Sequence, residues 1–207
     1  MQPQTAETDI MAYSDSSTAE PISSILTWRG RSIGWQAAAI FAGTLFLALA
    51  SWLSVPMLPV PITMQTFAVV LVGALFGWRR GGLTIMAWLT EGALGFPVLA
   101  NGTGGLIHFL GPTGGYLLAF IPASMMIGWL AERGCDGSRP GYAFINILAG
   151  HAAILAIGAA WLAVMIGPSK AIATGVTPFL LGALLKSGLA TLTLTMIAQG
   201  KRRLRQS

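Results

Sequence analysis

Six apolar segments, near residues 34–54, 64–78, 81–97, 113–131, 142–166 and 175–198, fill most of the 207-residue chain. A helix needs about 20 apolar residues to cross a bilayer core. The pattern therefore predicts an all-α polytopic membrane protein with six transmembrane helices, in one membrane domain spanning residues 28–200. The second and third segments are short for a full crossing, and Gly73, Gly77, Gly81, Gly82, Gly92 and Gly95 stud them. Small residues let helices approach closely in lipid, where packing drives association. Residues 1–27 are polar, acidic and rich in Ser and Thr, which predicts a flexible tail. Residues 201–207 form a short basic tail. The first apolar stretch starts far from Met1 and no basic stretch opens the chain, so no cleaved leader is expected and the first segment is read as a retained span.

The connection from Val55 to Thr66 carries no charge and contains Pro56, Pro59 and Pro61, each lacking the backbone donor needed to continue a helix. Thr63 and Gln65 follow at the mouth of the second segment. Polar groups at the edge of a bilayer core are costly unless they meet water, one another or a ligand, so this hinge points to a small-molecule site. A second uncharged connection, Ala100 to Gly115, carries NGTGG from Asn101 and GPTGGY from Gly111. It lacks the lysine and the preceding strand of a phosphate-binding P-loop. Its glycines fit a compact loop whose backbone approaches a ligand closely. Pro112 and Thr113 suit a helix start, with Thr113 as a cap.

Composition narrows the class. Hydrophobic residues make up 54% of the chain and charged residues 9%, against about a quarter charged in soluble domains. Twelve Lys and Arg against seven Asp and Glu leave a net charge of +5. The positive charge is placed by connection. Arg29 and Arg31 precede the first segment, Arg79 and Arg80 separate the second and third, Arg133 and Arg139 follow the fourth, and Lys201, Arg202, Arg203 and Arg205 follow the sixth. By the positive-inside rule, both termini are expected in the cytoplasm and the two uncharged loops outside. No aromatic–basic patch reads as a nucleic-acid surface. The single cysteine, Cys135, excludes an intrachain disulfide. His108 and His151 lack the spacing of a metal site, and neither metal nor cofactor is expected.

Glu91 and Lys186 are the acid and base inside the expected spans, each placed near mid-depth by 1.5 Å rise per residue. A charge there is kept when paired or functional, which leaves two readings: a Glu91–Lys186 ion pair, or a Lys186 that holds an anionic ligand. His151 reads as a packing or hydrogen-bonding residue and His108 as a loop residue within reach of a ligand. No nucleophile–base–acid constellation and no paired carboxylates point to an enzyme. No ATPase motif is encoded, so ATP-driven transport would need separate subunits. Ala38 and Ala42, with Ala39 and Gly43, form overlapping small-xxx-small pairs on the first segment, suited either to docking another subunit or to packing within the chain.

Three stretches carry a resemblance: LPVPITMQTFAVVLVGALFGWRRG from Leu58, EGALGFPVLANGTGG from Glu91, and FLGPTGGYLLAF from Phe109. The P-x-T-x-Q-T hinge, the G-x-x-G-x-P-V turn and the GPTGGY run, in this order, resemble the BioY family of biotin-specific S components of energy-coupling factor (ECF) transporters, over residues 34–198. The resemblance implies the ECF S-component fold and an outward-facing biotin site under the loops. It also implies a transmembrane T component contacted through Ala38 and Ala42, and two cytoplasmic ATPase subunits. The expected ligand contacts are Thr63, Gln65, Trp88, Glu91, Asn101, Gly111, Thr113, Gly114, Tyr116 and Lys186, with Trp52 and Phe96 as further apolar walls. One departure stands out. Family members carry P-F-x-x-G-D-x-x-K in the last helix, whereas PFLLGALLK from Pro178 keeps Lys186 but places Ala183 where the aspartate is expected. Alternatives are an S component for another vitamin, a solitary biotin facilitator working without ATPases, and a membrane-embedded enzyme.

Overall fold

The computed structural model describes residues 32–206; the N-terminal tail with Arg29 and Arg31, and Ser207, lie outside the described residues. Helix α1 (Ile33–Trp52) opens behind Ser32, whose Oγ accepts the Trp35 N–H at 3.3 Å and so satisfies one of the donors a helix start leaves free. The proline-rich connection forms a small hairpin: β1 (Ser54–Val55) pairs antiparallel with β2 (Ile62–Thr63), Ser54 opposite Thr63. This is the one place where two strands interrupt an otherwise helical chain among the described residues. The following elements are α2 (Gln65–Ala93), a 3-10 turn at Ala100–Gly102, α3 (Ile107–Leu110), α4 (Gly114–Ala131), α5 (Pro140–Ile166), α6 (Pro168–Gly175) and α7 (Thr177–Gln206).

α2 takes in both the second and third apolar segments, and it is broken within. Gly77 has φ 76° and ψ 173°, outside any helical region, a conformation that glycine adopts without steric cost. The chain folds back there. A Cβ on Gly81 would lie 3.1 Å from the Cα of Gly73, although eight residues of straight helix would separate the two by about 12 Å. α4 lies against this fold: a Cβ on Gly128 would meet Gly77 C and Trp78 N at 2.5 Å and Gly73 O at 2.8 Å. The break leaves the Trp78 N–H without a partner in its own arm, and Glu132 Oε1, just past α4, accepts it at 3.2 Å. A carboxylate at a helix N-terminus is also favoured by the helix dipole.

α2 ends earlier than expected. Gly95, at φ 98°, closes the helix with Phe96 N–H bonded to Glu91 O and Gly95 N–H bonded to Gly92 O, both at 3.1 Å, the pattern of a Schellman stop. Glu91 therefore sits in the last turn rather than at mid-depth.

The buried interior runs along α1, α2, α4, α5 and α7 in two clusters. One gathers Leu47, Trp88, Phe120, Ile154 and Leu162; the other gathers Val70, Ile127, Ile147 and Leu194. The outward faces are also apolar: Phe41, Leu49, Val164, Leu181, Leu185 and Leu192 are exposed on α1, α5 and α7. Soluble proteins rarely expose such continuous apolar surface, and lipid is the solvent that accepts it. Among the described residues, five helical segments are long and apolar enough to cross a membrane: α1, α2, α4, α5 and the α6–α7 run.

The Gly77 turn and the end of α4 share one end of the bundle, tied by Glu132 and Trp78. The hairpin and the connection after α2 share another region, tied by Trp52 Nε1 donating to Pro97 O at 2.8 Å and Ser54 Oγ donating to Asn101 Oδ1.

Candidate functional site

Beneath the hairpin lies a cavity of about 750 Å³, within the range of roughly 300–1,000 Å³ usual for small-molecule sites. Residues 56–61 of the hairpin form one wall. Residues 99–113 supply another, and the rest comes from the start of α2, the first turns of α4, and side chains of α5 and α7. The prolines that cannot extend a helix thus fold into a cover, with Leu58 pointing outward at 94% exposure and Val60 buried inward.

Seven expected contact residues meet in this wall: Thr63, Gln65, Asn101, Gly111, Thr113, Tyr116 and Lys186. Thr63 and Gln65 are buried and bonded to each other. The Thr63 hydroxyl donates to Gln65 Oε1 and accepts the Gln65 backbone N–H, each at 3.2 Å. Gln65 Nε2 is buried with no hydrogen-bond partner among the described residues. Lys186, half-buried on α7, donates from Nζ to the Thr63 carbonyl oxygen and to Thr66 Oγ1, the latter at 3.2 Å. An ammonium has three donors, so a third remains. The Glu91–Lys186 ion pair is not formed.

The cavity floor is held by Tyr116. Its hydroxyl donates to Gly175 O at 2.7 Å and its ring stacks on Phe179 with centroids 6.3 Å apart. Gly158 lets α5 press on that ring. Gly111 is anchored through its carbonyl, which accepts the Trp161 indole N–H at 3.0 Å. Thr113 stands at the N-cap of α4 but makes no capping bond; its Oγ1 donates to His108 O at 2.9 Å. Asn101 takes a left-handed conformation, φ 57°, which Asn adopts more readily than most residues. His108 also lines the cavity.

Three expected residues lie outside the wall. Trp88 is fully buried, stacks on Phe120 at 6.1 Å and gives its indole N–H to Val98 O at 2.9 Å. It is a core residue because its one donor is already satisfied. Glu91 sits at the α2 stop, and Gly114 backs onto the Phe109 carbonyl. Trp52 and Phe96 are exposed beside the cavity rather than inside it. The wall also includes residues that the sequence did not single out: Thr66, Leu117, Phe120, Ile154, Leu155 and Phe179. Thr66 belongs to the same P-x-T-x-Q-T run as Gln65, and Phe179 to the same run as Lys186, so proximity in sequence was the available signal. His151 is buried between α5 and α7, its Nδ1 3.1 Å from Ile147 O and from Ser187 Oγ.

The small residues of α1 divide between two faces. Gly43 packs on Thr84 and Phe76 of α2, whereas Ala38 and Ala42 are exposed.

An apolar-skinned bundle with one polar-pointed cavity under a loop cover defines a helical membrane protein with an internal small-molecule site. The BioY family profile matches residues 25–203. Similar curated proteins include a probable biotin transporter BioY of Pyrococcus horikoshii, 39% identical over 72% of this chain and 88% of that protein. Another is the biotin transporter BioY of Thermotoga maritima, 37% identical over 75% of this chain and 89% of that protein. A crystal structure of the S-component for biotin from an ECF-type ABC transporter shares the fold, with TM-score 0.72 at 24% identity over 86% of this chain and 96% of that one. The chain belongs to the BioY family.

Proposed function

We propose that this protein is the biotin-capturing S component of an ECF-type uptake system, embedded in the inner membrane. The observation that carries this reading is the cavity itself: a mostly apolar chamber whose wall holds one lysine, Lys186, among a few other polar groups. Biotin has a ureido head that donates and accepts hydrogen bonds, an apolar bicyclic body with a thioether, and a carboxylate tail. Asn101, Thr113 and Gln65 offer polar partners, Tyr116 and Phe120 offer apolar wall, and Lys186 offers a cation for the carboxylate. The names of the similar proteins in the family support biotin over another vitamin.

The arms of α2 on either side of Gly77 cross the membrane separately in this reading, giving six crossings. The basic residues around the Gly77 turn and after α4 then face the cytoplasm with both termini, and the hairpin faces outside. The exposed Ala38–Ala42 face of α1 docks the transmembrane T component, and two ATPase subunits drive reorientation of the loaded bundle.

Equilibrium binding of labelled biotin to the purified protein tests the reading; binding no tighter than to an unrelated membrane protein would overturn it. Replacing Lys186 by Ala removes a charge-assisted hydrogen bond, worth about 1.5–3 kcal/mol. Biotin affinity should fall by about 10- to 150-fold, with biotin amide falling much less. Equal losses for the two ligands would refute the carboxylate role.

A further inference from the structure

Two Trp–Arg pairs stand at the end of the bundle where the Gly77 turn meets the end of α4. Arg133 follows Trp129 by one helical turn, which sets both on one face. Its Cζ lies 3.6 Å from the centre of the indole ring, and its Nη1 donates to Trp129 O at 3.2 Å. Arg79 lies over the Trp78 ring at 4.9 Å. The bond from the Trp78 N–H to Glu132 Oε1 joins the two pairs, because Arg79 and Arg133 are the next residues on either side of it. Both arginines are exposed, and neither has an acidic partner among the described residues. A guanidinium laid on an aromatic ring keeps its fork of N–H donors for a phosphate, which it meets with two parallel bonds.

Each pair also heads an exposed apolar stripe. Leu83 and Met86 continue the face of Arg79 at helical spacing along the second arm of α2, and Pro122 and Leu118 continue the face of Trp129 along α4. The stripes run on neighbouring helices, since a Cβ on Gly82 would lie 2.7 Å from Met125 Cγ. Tryptophan favours the headgroup level of a bilayer, and Trp129 is 45% exposed. A small soluble anion would use the arginines alone. A molecule with a negative head and two acyl chains would use the arginines and both stripes.

We propose that Arg79 and Arg133 hold the phosphate of an anionic phospholipid, whose acyl chains lie along the stripes of α2 and α4. A zwitterionic lipid carries the same phosphate, but its own ammonium competes with the arginines for it, so the site selects a lipid of net negative charge. None of these residues lines the cavity under the hairpin, and the proposal does not depend on the solute held there.

The test uses the full chain purified in detergent and given equal amounts of phosphatidylglycerol and phosphatidylcholine, with the retained lipid counted by native mass spectrometry. The wild-type protein should retain phosphatidylglycerol in preference to phosphatidylcholine. Arg79→Gln combined with Arg133→Gln should lower that preference by about tenfold or more, because each basic residue near an anionic headgroup helps to hold it. Arg202→Gln combined with Arg203→Gln removes the same charge from the end of α7 and should leave the preference unchanged. Equal losses in the two double variants would overturn the site in favour of general surface charge, and no loss in the first would overturn it outright. Arg79→Gln alone gives up only the contact with the Trp78 ring and keeps the proposal testable if the double variant does not fold. It should lower the preference by about threefold or more, and an unchanged preference would count against the site. Excess inorganic phosphate should leave the lipid in place, because it makes no use of the stripes; displacement would mark a free-anion site and overturn the lipid. Wild-type protein with no preference would also overturn it and leave the arginines to a protein partner.

Discussion

Replacing Gly128 by Ala tests how the bundle is closed around the Gly77 turn. The added methyl would sit 2.5 Å from the Gly77 carbonyl carbon and the Trp78 nitrogen, roughly 1 Å inside ordinary contact distance. Both atoms are backbone and cannot rotate away. The Glu132 carboxylate, one helical turn after Gly128 on the same face of α4, accepts the Trp78 N–H and so holds the turn against α4. Overpacking of this kind costs about 1–3 kcal/mol, and separating α4 from the turn also weakens the Glu132–Trp78 bond. Against this, Ala is favoured over Gly in a helix by about 1 kcal/mol. The clash is expected to win by about 1–2 kcal/mol, a fall of about 2–8 °C in Tm for a chain of this size. Thermal unfolding of the purified protein, followed by tryptophan fluorescence, reads this out. Gly188→Ala on α7 is the matched control, because its Cβ would meet nothing within 4 Å, and its Tm should hold or rise. A Gly128→Ala protein as stable as the Gly188→Ala control would refute the close approach of α4 to the turn.

Tyr116→Phe keeps the ring that stacks on Phe179 but deprives Gly175 O of its donor; stability should fall by about 1 kcal/mol or slightly more, seen as a lower Tm, with biotin affinity shifted only a few-fold. Ala42→Leu lies on the exposed face of α1, so biotin binding and Tm of the isolated protein should be unchanged. Uptake by cells that contain the partner subunits should collapse; full uptake would refute the docking face.

Much of the architecture was legible because bilayer physics is strict. Apolar runs of crossing length became helices, and the prolines of residues 56–61 became a non-helical cover. What escaped the sequence were features that depend on rotation and on where a helix stops. Glu91 reads as mid-depth in the sequence because the apolar run continues to Pro97, while the Schellman stop at Gly95 ends the helix sooner. Trp88 reads as a ligand contact in the sequence because an indole suits either a pocket or a core, whereas in the fold its N–H is taken by the Val98 carbonyl, ten residues on. Ala38–Ala42 and Ala39–Gly43 read as one stripe, yet neighbouring residues on a helix point about 100° apart, enough to send one pair to α2 and the other outward. Ile154 and Leu155 carry no polar mark, so nothing in their sequence separates a cavity wall from lipid-facing helix.

The two hydrogen bonds that join the end of α1 and the hairpin to the loop after α2, Trp52 to Pro97 and Ser54 to Asn101, have a kinetic meaning. They make two sections of the cover into a single leaf, so neither can swing aside while the other stays shut. Cutting this seam, as in Ser54→Ala, frees one section to move without the other and is expected to shorten the residence time of a solute held beneath.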